Sequence, residues 1–205
     1  MKSIKRSVLS TSLALLLAGI APGASAAAGD YLLRFGAANV SPNDGSRGVV
    51  PKDAVGVDSG SSVYFAGAYM VTDQVGVELL AALPFDHDVT LRGTGKIAEV
   101  SHLPPTLSVT YDFSPEAKVR PYVGVGINYT TFSDEKATAA ITSIELDDSW
   151  GLAVQAGLDA DINDKWFFNA SLRYIDIETT AKTNLGNIDV DINPWVMSVG
   201  VGMRF

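Results

Sequence analysis

The sequence predicts an all-β protein: an eight-stranded antiparallel transmembrane β-barrel with short periplasmic turns and long extracellular loops. Three observations lead there. Apolar residues alternate strictly with small or polar ones in eight separate segments. Past the first 26 residues no run of about 18 apolar residues could make a membrane helix. The connections between segments are alternately short and long, as in outer-membrane barrels.

The segments follow in order. YLLRFGAANV sets Tyr31, Leu33, Phe35 and Ala37 against Arg34 and Gly36. SVYFAGAYMV groups Val63, Phe65, Tyr69 and Val71. VGVELLAAL opposes Val75, Val77 and Leu79 to Gly76, Glu78 and Leu80. TLSVTYDF, RPYVGVGINYTT, SWGLAVQAGLDAD and WFFNASLRYID repeat the pattern, and the eighth segment, NPWVMSVGVGMRF, closes the series. TDQ, SPEAK and IND are tight connections of the Asp/Asn/Pro/Ser kind. The other connections run longer and are polar.

A soluble sandwich or lipocalin-like barrel also alternates, and the polarity of the second face separates the two. A solvated exterior would be charged. Here the second face is mostly Gly, Ala, Ser and Thr, with a few charges such as Arg34, Glu78, Asp112, Asp159, Arg173 and Arg204. Small, sparsely charged residues suit the crowded lumen of a narrow barrel. The apolar face carries no charge at membrane depth, where one would cost about 2–4 kcal/mol. Trp195 and Phe205 lie on that face ten residues apart, close to the roughly 9–11 residues of a tilted crossing.

The domain expectation is a secretory signal peptide over 1–26 and a single barrel over 27–205. Lys2, Lys5 and Arg6 precede an apolar run, then ASAAAGD offers a small-residue cleavage site after Ala26. Three of the fifteen basic residues and none of the 23 acidic ones lie in that leader, so the remainder carries 12 against 23, near −11. Such acidity argues against nucleic acid as a partner. With no cysteine, disulfides, thiolate metal sites and cysteine catalysis are excluded.

VGVELLAALPFDHDV, IAEVSHLPPTLSVTYDF, VRPYVGVGINYTTF, DDSWGLAVQAGLDADIN and INPWVMSVGVGMRF resemble the outer membrane protein W (OmpW) family, over about Tyr31 to Phe205. The resemblance implies an integral outer-membrane barrel of a Gram-negative cell, with a narrow, mostly hydrophobic lumen and a role in uptake of small hydrophobic molecules. It implies as partners outer-membrane lipids, lipopolysaccharide and the assembly machinery, which would read the terminal aromatic Phe205. It also implies a lumen closed by a leucine, falling at Leu80, and a tryptophan, falling where this chain has Arg173. A guanidinium cannot make the same apolar plug; it could pair with a lumen carboxylate such as Glu78, or snorkel. The family's DPW is NPW here, Asn193 to Trp195.

Pro84, Pro104 and Pro105 fall at the outer ends of neighbouring strands and give no N–H to a ladder. A lateral gap there would let a lipophilic molecule pass into the bilayer; the plainer reading is that they end strands. His87 and His102 flank the second outer loop, with Ser101 beside His102 and Asp86 and Asp88 beside His87. A solvated loop is the expectation, over a metal site or a serine–histidine enzyme. Asp176, Glu178, Asp189 and Asp191 should stand above the hydrocarbon as an acidic collar. D-V-D-I-N fails as an EF-hand opening because Pro194 stands where glycine is required. No catalytic residue, metal or cofactor is expected. A surface protein without transport is the alternative to a conduit.

Overall fold

Alternating segments that meet lipid on one face must satisfy every backbone group within the sheet, which closure achieves. A computed structural model of the chain describes residues 27–138 and 142–205. The leader expected over 1–26 lies outside the described residues. In chain order the strands are β1 (Tyr31–Ser41), β2 (Gly45–Gly48), β3 (Val55–Val57), β4 (Gly60–Met70), β5 (Val75–Ala82), β6 (Phe85–Leu91), β7 (Gly95–Leu103), β8 (Thr106–Asp112), β9 (Val119–Ala137), β10 (Ile144–Leu146), β11 (Ser149–Asp161), β12 (Trp166–Ile175), β13 (Glu178–Thr183), β14 (Gly186–Asp191) and β15 (Trp195–Arg204).

Eight of them form the wall, in the order β1-β4-β5-β8-β9-β11-β12-β15, each antiparallel to its neighbour. β15 returns to β1, from Leu32 opposite Arg204 to Ser41 opposite Trp195. The Phe205 amide donates to the Tyr31 carbonyl at 3.0 Å, extending that seam.

The face turned outward is apolar: Leu79, Val125, Leu152 and Met197 are each more than half exposed. Aromatic pairs mark both borders of this band. Tyr31–Tyr69 and Tyr111–Phe113 lie at the short-turn rim, with ring centroids 5.1 and 5.4 Å apart. Tyr129–Trp150 and Tyr174–Trp195 lie at the other, 4.7 and 5.1 Å apart. Two girdles around an apolar band are the interface anchors of a membrane barrel.

The connections expected as long polar loops are largely strands. β6 and β7 form a hairpin, β7 pairs with the upper part of β9, and β3 pairs with β6. β10, β13, β14 and β2 form a second sheet beside them. Period two was hidden there by the polar half of each strand. Ile188, Val190 and Ile192 alternate with Asp189 and Asp191, and the apolar half is buried while Asp189 stays exposed. The wall therefore continues above the outer girdle as a second storey.

Candidate functional site

The upper storey encloses an apolar chamber. Val55, Val89, Ile97, Phe132, Leu146 and Val190 are among the residues lining a cavity of ≈ 40 Å³, room for a few waters. Val55, Ala181, Ile188, Val190 and Ile192 in its wall belong to one continuous apolar cluster that reaches down to Leu80 and Val196. His87 and His102 also line it, stacked with centroids 4.8 Å apart, and His102 stacks on Phe85 at 5.5 Å. The expectation of solvated loop histidines is corrected: they are 5% and 4% exposed, because β6 and β7 are paired strands that turn them inward. His87 Nδ1 lies 2.5 Å from the Asp58 carbonyl oxygen. A carbonyl only accepts, so Nδ1 carries the proton, and Nε2 is buried without a hydrogen-bond partner among the described residues. The Ser101 hydroxyl donates to Asp86 at 2.5 Å, not to His102.

Burial, with the nearby His87 adding to it, pushes the His102 imidazole down from 6.5 to about 3. The His87 imidazole is also lowered, mainly by burial. Between pH 6.5 and about 3 the unfolded segment therefore binds a proton that the folded one refuses. Stability of the upper storey is fully present above that window and is lost as pH falls through it. Backbone amides of β6 and β7 should exchange progressively faster across the window, relative to those of β1, and His102→Phe should weaken the trend. Equal pH response in both regions would refute it.

At the floor of the chamber, Leu80, Ala82, Phe85, Pro104, Arg173 and Ser198 surround a second, smaller cavity of ≈ 10 Å³. Beside it the ladder is interrupted. β5 and β8 pair as far as Leu80 opposite Thr106, and pairing resumes only at Phe85 opposite His102. No ladder pair joins Ala81–Pro84 to Leu103–Pro105 among the described residues. Pro84, Pro104 and Pro105 occupy this interval, where they have no N–H to contribute.

Below that level the lumen is filled by charge. Arg34 bridges Glu78 (2.8 Å) and Asp159 (2.7 Å), and Arg173 reaches Glu78 at 3.0 Å and also donates to Gln155. Gln155 donates to the same Glu78 oxygen at 3.0 Å. Asn169 donates to Asp159 at 2.7 Å and accepts from Tyr64 at 3.1 Å. Nearer the short-turn rim, Arg120 and Arg204 share Asp161 at 2.6 and 3.2 Å. The Arg34 and Arg120 guanidinium groups both lie 5.6 Å from the centroid of the fully buried Phe167 ring. Ion pairs so buried survive because each carboxylate is matched by a cation, with Gln155 adding a hydrogen bond to Glu78 and Asn169 one to Asp159.

The structure thus brings Leu80 and Arg173 together around one cavity, with Pro104 in its lining, and places Pro84 and Pro105 beside it. Phe205 lies apart, at the opposite rim. Sequence reasoning missed the Arg34–Asp159 bridge and the chamber. Inward parity was visible for Arg34 and Asp159, but which inward residues meet across the lumen depends on register. In the acidic collar, Arg47 pairs with Asp191 at 2.9 Å, which partly neutralises it.

A model of the OmpW family matches residues 27–205. Outer membrane protein W of Vibrio cholerae is 43% identical over 193 residues, covering 86% of this chain and 89% of that protein. The crystal structure of the outer membrane protein OprG from Pseudomonas aeruginosa superposes with a TM-score of 0.83 at 36% identity, over 89% of this chain and 99% of that one. A Pseudomonas aeruginosa protein named for a dibenzothiophene metabolism operon, PahQ, is 27% identical over 163 residues, 76% of this chain and 77% of that protein.

Proposed function

The chain belongs to the OmpW family and has the fold of an outer-membrane barrel, and from that premise we propose that it is a passive conduit for small hydrophobic molecules. A molecule enters the apolar chamber from outside, descends past His102 and Phe85 to Leu80 and Arg173, and leaves sideways. The exit runs between β5 and β8 at Pro84, Pro104 and Pro105, into the outer leaflet. One observation carries this reading: a polar plug lies directly beneath an apolar cavity whose wall has lost its ladder.

Physical chemistry favours the lateral exit over the axial one. An apolar molecule forced through the plug would strip partners from Arg34, Glu78 and Asp159, and an uncompensated buried charge costs several kcal/mol, about 3–5. Sliding between Leu83 and Leu103 into lipid strips nothing. A relative named for dibenzothiophene metabolism agrees with an apolar cargo. The narrowness of both cavities means that passage requires the walls to part, and the unladdered interval is where parting breaks no strand pairing. Phe205 belongs to assembly, at the rim farthest from this path.

Restoring backbone donors with Pro84→Ala, Pro104→Ala and Pro105→Ala together should let the ladder close. Uptake of naphthalene into vesicles holding the folded variant is then expected to fall several-fold below wild type. Wild-type uptake through a correctly folded triple variant would rule out this exit.

A further inference from the structure

We propose that Arg173 and Ser198 form a head-group site for an uncharged hydrogen-bond acceptor on an otherwise apolar molecule, such as a ketone, aldehyde or ester. The proposal rests on the conduit reading and narrows its cargo. Arg173 uses one nitrogen for its known partners: Nη2 donates to both Glu78 and Gln155. Its Nε and Nη1 have no partner among the described residues, although the side chain is 2% exposed. The Ser198 hydroxyl also has none among them and is 3% exposed. Both side chains line the same small cavity, projecting from the paired strands β12 and β15. The one other polar side chain in that lining, Tyr64, already donates to Asn169 at 3.1 Å.

Buried donors without acceptors are costly, and hydrogen bonds from a charged donor are the stronger kind. A guanidinium N–H can only donate, so a group that reaches these nitrogens from the cavity must be an acceptor. Its ≈ 10 Å³ accommodates about one water-sized group, such as a carbonyl oxygen. The carbon chain must then lie in the apolar space above or in the unladdered interval beside Pro104. Charge decides between a neutral head and an anion. Arg34, Arg120, Arg173 and Arg204 are balanced in the lumen by Glu78, Asp112, Asp159 and Asp161. A carboxylate would add one uncompensated buried charge, which a carbonyl does not. Where a tryptophan would offer the cargo a greasy surface, Arg173 offers it a donor.

The test uses the whole barrel in lipid nanodiscs with ¹⁵N-labelled arginine, following the Arg173 Nε–H resonance. Adding 2-octanone is expected to shift it saturably, whereas n-octane leaves it in place. Uptake into vesicles, each normalised to barrel-free vesicles, should favour 2-octanone over n-octane about tenfold, the worth of one charge-assisted hydrogen bond. Arg173→Met combined with Glu78→Gln keeps the lumen neutral and should bring that ratio close to one. Ser198→Ala, which alters no charge, should reduce it by a smaller factor. An Arg173 resonance indifferent to 2-octanone, or equally sensitive to n-octane, overturns the head-group site. A stronger response to octanoate than to 2-octanone overturns the assignment to an uncharged acceptor. Uptake of neither compound above the barrel-free level would defeat the conduit reading instead, with the resonance still reporting on the site.

Discussion

Glu78→Ala is expected to destabilise the barrel by about 3–5 kcal/mol, the range for breaking a buried ion pair from one side. Glu78 is 2% exposed and is shared by Arg34, Arg173 and Gln155. Among the described residues, its removal leaves Arg34 paired with Asp159 alone and strips Arg173 of the one carboxylate it reaches. An exposed pair would cost under about 1 kcal/mol, so the magnitude itself discriminates. Reversible urea unfolding from lipid vesicles, followed by tryptophan fluorescence, measures it. Adding Arg173→Met to Glu78→Gln removes one charge of each sign and should recover most of the loss. A double variant no better than Glu78→Gln alone would show that charge balance is not what holds the plug.

Gly36→Ala is expected to damage closure about as severely as overpacking allows, by about 3 kcal/mol. Gly36 on β1 faces Gly200 on β15 across the seam that joins the first strand to the last. A Cβ at Gly36 would lie 2.1 Å from the Val199 carbonyl oxygen, and one at Gly200 would lie 2.2 Å from that of Phe35. Both obstacles are backbone, so the strands themselves must separate. Glycine in a strand interior marks such close approach. Gly67, whose added Cβ would meet only a Leu33 methyl at 3.5 Å, is the control. Folded yield of Gly36→Ala should drop sharply while Gly67→Ala stays close to wild type. Equal yields would place the closing strain elsewhere.

Much of this architecture is legible in the residues. The eight wall strands and their lipid face follow from period-two alternation, and β1 and β15 fall where YLLRFGAANV and WVMSVGVGMR place them. The meeting of Arg173 with Glu78 was foreseeable because both have inward parity and opposite charge. What escaped was register and the upper storey. Arg34 meets Asp159 across 125 residues only because the ladder sets both at one height. β6 and β7 carry a register shift near Val89 and another near Glu99 to Ser101, which blurs their alternation. Acidic residues on the wet half of β14 masked Ile188, Val190 and Ile192, whose spacing was the available signal for a chamber wall.

A reversible clamp across the gap tests sideways exit above a closed plug most directly. The chain has no cysteine, so Ala82→Cys with Pro104→Cys introduces one pair alone. These positions would face each other if the ladder from Leu80 and Thr106 continued, and both line the lower cavity. Uptake of naphthalene into vesicles should be blocked in the oxidised variant and return to the wild-type rate on reduction. Undiminished uptake with the disulfide formed would contradict lateral exit and direct the path through the plug instead.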